Sequence, residues 1–152
     1  FYVTQAWKES HVAPEVAWAT VKPWSIGVPT SWPLDGLQTE KNGTANQQKD
    51  YYIDAGFDML HAHATWPDGT NGVEAGLYEI RDLMIKGRFK VDRNLRDFFN
   101  EFNQYHRNQN GKISKTMDDL LDAIRYAYMM RRYSIPWGER SRLTSPGVIS
   151  SF

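Results

Sequence analysis

Helices alternating with short apolar strands predict an α/β or α+β domain for this chain. Three observations carry that expectation. Several stretches repeat apolar residues every three or four positions, the period of an amphipathic helix. Between them lie brief aromatic or β-branched segments bounded by Gly, Pro, Asn and Asp, which read as strands and turns. The 152 residues include 6 Trp, 8 Tyr and 7 Phe, enough to build one domain with a real core and too few residues for two comfortable ones.

In chain order, residues 1–7 (Phe1-Tyr2-Val3-Thr4-Gln5-Ala6-Trp7) read as a strand already in progress. Pro14 opens a helix expected to run to about Lys22, since proline in a first turn gives up no needed N–H, and Pro23 is expected to end it. The mainly apolar segment 25–33 reads as a buried strand entering the turn Leu34-Asp35-Gly36, with prolines acceptable near strand ends. Ligands of an open α/β sheet gather at the carboxyl ends of its strands, so Asp35 would lie where chemistry happens. A polar, turn-rich loop over 38–47 leads to a helix over about 45–55 that Gly56 stops. Residues 57–64 are a further strand candidate. His61 and His63 share one face of it, but no HExxH pattern or third ligand accompanies them, so a zinc site is not expected.

After a turn over 66–72, Val73, Leu77, Ile80 and Met84 mark a helix capped by Asn71 and ended at Gly87. Residues 88–91 form a short strand. Leu95, Phe98, Phe99, Phe102 and Tyr105 keep helical spacing, which suits a core stripe better than a base-stacking platform. A turn at Asn110-Gly111 precedes the last helix, which runs to about Tyr133 with Met117, Leu120, Leu121, Ile124, Ala127 and Tyr128 on its buried face. The domain is thus expected over residues 1–133, with an aperiodic tail over 134–152. The first residue is Phe1, so the sequence is expected to be a fragment of a longer chain.

The chain has no cysteine, which excludes disulfides and thiolate metal sites, and no apolar run of membrane-spanning length, so a soluble intracellular protein and no membrane partner are expected. A GxxxxGK[ST] phosphate loop is also missing, so nucleotide hydrolysis by these residues is not expected. Net charge is zero but unevenly spread: residues 1–70 carry 4 Lys/Arg against 8 Asp/Glu, and residues 71–152 carry 14 against 10. The basic residues Arg88, Lys90, Arg93, Arg96, Arg107, Lys112, Lys115, Arg131, Arg132, Arg140 and Arg142 can serve a solvated face or a nucleic-acid surface.

Asp118, Asp119 and Asp122 crowd one turn at the start of the last helix. Such carboxylates repel one another unless the helix N-terminus, solvent or a bound cation relieves them. Two readings stay open on this stretch: acids favoured by the helix dipole, or part of a divalent-metal site built from hard oxygen ligands. Asp35 supplies an acid from a separate part of the chain.

Five motifs in series carry a resemblance: Trp32-Pro33-Leu34-Asp35-Gly36; Asn71-Gly72-Val73-Glu74-Ala75-Gly76-Leu77; Gly87-Arg88-Phe89-Lys90-Val91; Tyr105-His106-Arg107 with Gly111-Lys112-Ile113; and Asp118 to Ala127. Over residues 1–133 the chain resembles the C-terminal nuclease domain of tailed-bacteriophage terminase large subunits. The resemblance implies an RNase H-like fold, a mixed central sheet flanked by helices, lacking its first strand in this chain. It implies a metal-dependent DNA endonuclease that cuts concatemeric phage DNA during packaging, with a two-metal Mg²⁺ or Mn²⁺ site. By position, Asp35 matches the acid ending the family's central strand, the Asp118-Asp119 pair matches the acids at the start of the last helix, and Asp122 stands where RuvC-like nucleases place a further acid. Its three-residue spacing to Asp122 favours Asp119 as the direct ligand. The family's first metal-binding Asp and its ATPase motor lie upstream of any segment seen here. Double-stranded DNA, the portal protein and the terminase small subunit are the implied partners, and the host cytoplasm the implied location. A non-catalytic DNA-binding or docking fragment is the alternative. A carbohydrate hydrolase with paired carboxylates fits the acids but not the basic second half or the motif order.

Overall fold

The computed structural model describes residues 1–39, 46–105, 109–111 and 118–135. Its elements in chain order are β1 (Tyr2–Val3), α1 (Pro14–Ser25), a 3₁₀ turn (Leu34–Leu37), α2 (Gln48–Ala55), α3 (Val73–Ile85), β2 (Lys90–Val91), α4 (Arg96–Gln104), α5 (Asp119–Met129) and a second 3₁₀ turn (Arg131–Tyr133). They fall into two compact units. The first holds Phe1–His11 and Thr65–Met129, the second Val12–Ala64 and the chain from Met130 onward. The tail beyond residue 135 lies outside the described residues, as do Met117 and the basic residues Arg107, Lys112, Lys115, Arg140 and Arg142.

In the first unit β1 and β2 pair in parallel, Tyr2 opposite Lys90 and Val3 opposite Val91. Parallel strands belong where both faces are covered, and Val3 and Phe89 are buried. The expected strand over 1–7 is thus confined to two residues. Helix α3 follows its stripe closely, with Ile80 buried and Val73, Leu77 and Met84 half-buried. Gly72 rather than Asn71 sits at its N-cap, and Gly87 follows its end. Gly76 is required by close helix packing: a Cβ there would lie 2.9 Å from the Trp66 ring and 3.1 Å from the Arg125 stem.

Helices α4 and α5 depart from their expected stripes. On α4 only Phe98 of the apolar stripe is buried, while Phe99 and Phe102 are exposed and the acid Glu101 is 4% exposed. On α5 Leu120, Tyr128 and Met129 are buried together with Arg125, whereas Leu121 and Ile124 are half-buried and Ala127 is exposed. The stripe is turned because Arg125 and Glu101 are drawn inside by ionic and hydrogen-bond partners, which a purely apolar periodicity does not register. Aromatic edges complete this unit, with Tyr128 meeting Trp66 at 6.2 Å and its hydroxyl donating to Glu79 at 3.0 Å.

In the second unit α1 starts at Pro14 and buries Ala17 and Val21. Pro23 does not end it; the helix runs to Ser25 with the proline in its last turn, where only one backbone hydrogen bond is forfeited. Helix α2 starts at Gln48, its N-cap residue Gln47 donating its backbone N–H to Asp50 at 2.8 Å. Packing of Phe57 against Trp18 and Tyr52, centroids 5.0 and 5.5 Å away, ties α1 to the segment after α2.

The two strands expected over 25–33 and 57–64 are not formed as strands. The segments do run side by side: Thr30 donates to the Asp58 carbonyl, Leu60 to the Thr30 carbonyl and Ala64 to the Trp32 carbonyl, at 2.6, 2.9 and 2.7 Å. A single parallel bridge, Thr30 with Met59, is the result. Pro29 and Pro33 remove two donors from a nine-residue segment, so the ladder cannot extend.

Candidate functional site

The first turn of α5 carries Asp118, Asp119 and Asp122, as the sequence placed them. Its opening hydrogen bond runs from the Asp122 N–H to the Asp118 carbonyl at 2.8 Å. The next amides, of Leu120 and Leu121, are among those a helix start leaves without an internal partner. Both donate to Oε2 of Glu101, at 2.8 and 3.3 Å. Glu101 therefore caps α5 from α4, placing a negative charge at the positive end of the helix dipole.

Its other oxygen is also engaged. Lys8 Nζ donates to Glu101 Oε1 at 2.6 Å and lies 3.0 Å from Asp119 Oδ2. The hydrogen bonds to Glu101 and then to Asp119 raise the Lys8 pKa above its ordinary value, so the bridge keeps its charge. Glu101 is the buried member, and the Asp119 side chain is 73% exposed. The strength of the bridge thus resides in the Lys8–Glu101 arm, since an exposed ion pair contributes little.

Asp122 is held separately. Arg125, buried, donates to Asp122 Oδ1 through Nε at 3.2 Å and Nη2 at 2.9 Å. The guanidinium also lies over the Tyr126 ring, 4.6 Å from its centroid. Tyr126 reaches Asp122 Oδ2 at 3.4 Å. Burial first, and then the Asp122 charge, push the Tyr126 hydroxyl up from its ordinary pKa; Tyr105 is pushed up by burial, then by Asp122 and Asp118. Both phenols stay protonated near neutrality and can only donate toward the acids.

Asp118 differs from its two neighbours. It is half-buried, and among the described residues no hydrogen bond or ion pair engages its carboxylate.

Asp35 belongs to the second unit. It lies on the 3₁₀ turn after the extended residues 30–33 rather than at the end of a formed strand. Its side chain is exposed and accepts from Gln38 Nε2 at 3.3 Å. The turn rests on Trp32, which is 4% exposed and donates its indole N–H to the Leu60 carbonyl at 2.6 Å. Gly36 is needed there, because a Cβ would come within 2.6 Å of the Trp32 ring. Asp35, Lys49 and Tyr52 line a cavity of ≈ 290 Å³ floored by Trp32, with the Lys49 ammonium 5.5 Å from the centre of a Trp32 ring. His61 and His63 are occupied by aromatic edges, of Tyr133 and Trp32 respectively. Among the described residues, no three His, Asp or Glu side chains gather as a ready-made metal-ligand group.

A family model described as the terminase RNase H-like domain matches residues 1–131. The chain belongs to that family. This terminase domain is 54% identical over 134 residues to the terminase large subunit of Salmonella phage P22, and 55% identical over 131 residues to that of Enterobacteria phage LP7. The matches cover 88% and 86% of the chain and 27% of each relative, so the chain spans about a quarter of their length. The solved structure of the P22 large terminase nuclease domain superposes with a TM-score of 0.84 at 50% identity, covering 95% of this chain and 72% of that one. The RNase H-like fold implied by the motif series is therefore shown, with a described sheet of two short parallel strands.

Lys8, Glu101 and Arg125 are the residues that sequence reading missed as parts of this turn. One signal was available for Glu101: an acid three residues after Phe98 and one before Phe102, on the apolar side of an amphipathic helix, calls for a partner.

Proposed function

We propose that this terminase domain is a divalent-metal-dependent DNA endonuclease that cuts concatemeric phage DNA during genome packaging, with residues 1–133 as its body. The half-buried carboxylate of Asp118, at a charge-braced helix start in a chain of this family, carries the reading. The donor set fits Mg²⁺ or Mn²⁺, which take hard oxygen ligands. On the first unit Asp118 would hold the metal, and Asp35 is the carboxylate that the second unit offers to such an ion. Asp119 and Asp122, each facing a cation, shape the charge around Asp118. When bound, such ions generate the attacking hydroxide and stabilise the leaving oxygen of a phosphodiester.

The chain's own residues position the substrate and the acids. Arg88, Lys90, Arg93 and Arg96 are exposed on the first unit, where they suit sequence-independent contacts to DNA phosphates. Arg125 keeps Asp122 in one orientation, and Tyr105 and Tyr126 remain neutral beside it. The relatives are named as terminase large subunits. Action on double-stranded DNA with the portal protein and the small subunit, in the host cytoplasm, follows from that likeness as part of the proposal.

Plasmid nicking by the full-length large subunit tests it. Asp118→Asn and Asp35→Asn should each slow Mn²⁺-dependent nicking at least about 100-fold, on the order of 3 kcal/mol of lost transition-state stabilisation. Nicking at the wild-type rate by both variants would overturn the reading and leave a non-catalytic docking role.

A further inference from the structure

We propose that Glu101 is a positioning residue for the metal-facing acid: held between Lys8 and the first turn of α5, it fixes the direction in which that turn presents Asp118. The inference rests on the nuclease reading for the identity of the ligand, but its geometry stands apart from it.

Glu101 is 4% exposed, a burial that a carboxylate tolerates only with good partners. It has three, divided between its two oxygens. Oε2 accepts the amides of Leu120 and Leu121, which are the second and third residues after Asp118. Oε1 accepts from Lys8 at 2.6 Å. A carboxylate gripped at both oxygens has little freedom to rotate, so the two amides are fixed in space, and Asp118, two residues before the first of them and bonded through its carbonyl to the Asp122 N–H, is fixed with the turn. The arrangement is that of an outer carboxylate that orients an inner ligand through the atoms between them.

A solvent-filled helix start would satisfy the same amides without burying an acid, and Ser, Thr, Asp or Asn in the turn itself would cap it more simply. Here the cap comes instead from a different helix, 19 residues earlier. That choice couples the pose of the acidic turn to α4 and, through Lys8, to the segment following β1. Lys8 also lies 3.0 Å from Asp119, so the same cation engages the exposed acid next to the half-buried Asp118.

The test uses the full-length terminase large subunit, with direct Mn²⁺ binding by calorimetry alongside nicking and thermal unfolding. In Glu101→Gln the amide keeps an acceptor for α5 but loses the charge that holds Lys8; Mn²⁺ affinity should fall about 10-fold, the lower end for lost outer-shell partners. Lys8→Met should produce a loss in the same direction, and Lys8→Arg, which keeps a cation against both acids, should recover most of it. A structural cap alone would lower the unfolding temperature while leaving Mn²⁺ affinity within about twofold of wild type, and that result overturns the inference, as does equal affinity in Lys8→Met and Lys8→Arg. Should Glu101→Gln fail to fold, the Lys8 pair decides. Failure of the underlying nuclease reading looks different: Asp118→Asn would then bind Mn²⁺ as tightly as wild type.

Discussion

The two acid-bearing turns of this protein are held by different means. In the first unit the start of α5 is braced by charge: Glu101 grips two amides and Lys8, while Arg125 grips Asp122. In the second unit the turn carrying Asp35 is braced by shape, seated on the buried Trp32 with Gly36 leaving room for the ring. A charge brace sets orientation through directional bonds and is sensitive to pH. A packed platform sets position through volume and is not. The two turns should therefore fail under different substitutions.

The largest effect should come from removing the platform. Trp32→Ala deletes a buried indole together with its hydrogen bond to the Leu60 carbonyl, and should cost about 3–5 kcal/mol in denaturant unfolding. The α5 turn does not depend on this residue for any described contact, so amide exchange of Leu120 and Leu121 measured below the unfolding transition should stay slow. Loss of protection there would show that the two braces are not separate.

Next comes the charge brace. Glu101→Ala takes from Lys8 its buried partner, leaving Asp119 beside it, and uncaps α5; about 2–3 kcal/mol of stability should be lost, since Lys8 is only partly buried. Here Leu120 and Leu121 should exchange fast. Gly76→Ala follows, at about 1–3 kcal/mol, because the new methyl meets Trp66 and the Arg125 stem that aims at Asp122.

The pH dependence separates the braces further. Lys8 holds its proton more tightly folded than unfolded, through Glu101 first and Asp119 second. Its stabilisation is therefore complete below the ordinary lysine value of 10.5 and is lost as pH rises through the higher folded value. Tyr105 and Tyr126, also raised, act in the same alkaline direction. Unfolding temperature should fall more steeply in wild type than in Lys8→Met above about pH 10.5, with the tyrosine contribution common to both. Equal slopes would show that Lys8 adds nothing to the brace.

The helices were legible because each shows a 3.6-residue apolar period, and α3 kept nearly its whole stripe. Strands were less legible. Residues 25–33 have the composition of a buried strand, yet Pro29 and Pro33 limit them to one bridge, and a count of apolar residues does not weigh missing donors. The acids of α5 could be seen as a cluster, but their roles could not. Separating them needs Lys8 and Glu101, more than a hundred and about twenty residues away in sequence, and no local pattern announces a partner at that range.

The smallest effect is the most informative about the acids. Spacing to Asp122 favours Asp119 as the direct ligand, whereas the structure turns Asp119 outward, 73% exposed, with Lys8 beside it. Removing its charge breaks only an exposed ion pair, so Asp119→Asn should change stability by less than about 1 kcal/mol. If Lys8 has drawn Asp119 aside, nicking should fall far less in Asp119→Asn than in Asp118→Asn, and the loss should ease with added Mn²⁺. If instead both variants lose nicking equally and added metal restores neither, Lys8 must leave Asp119 when metal binds, and the charge brace is then a resting arrangement that the ion displaces.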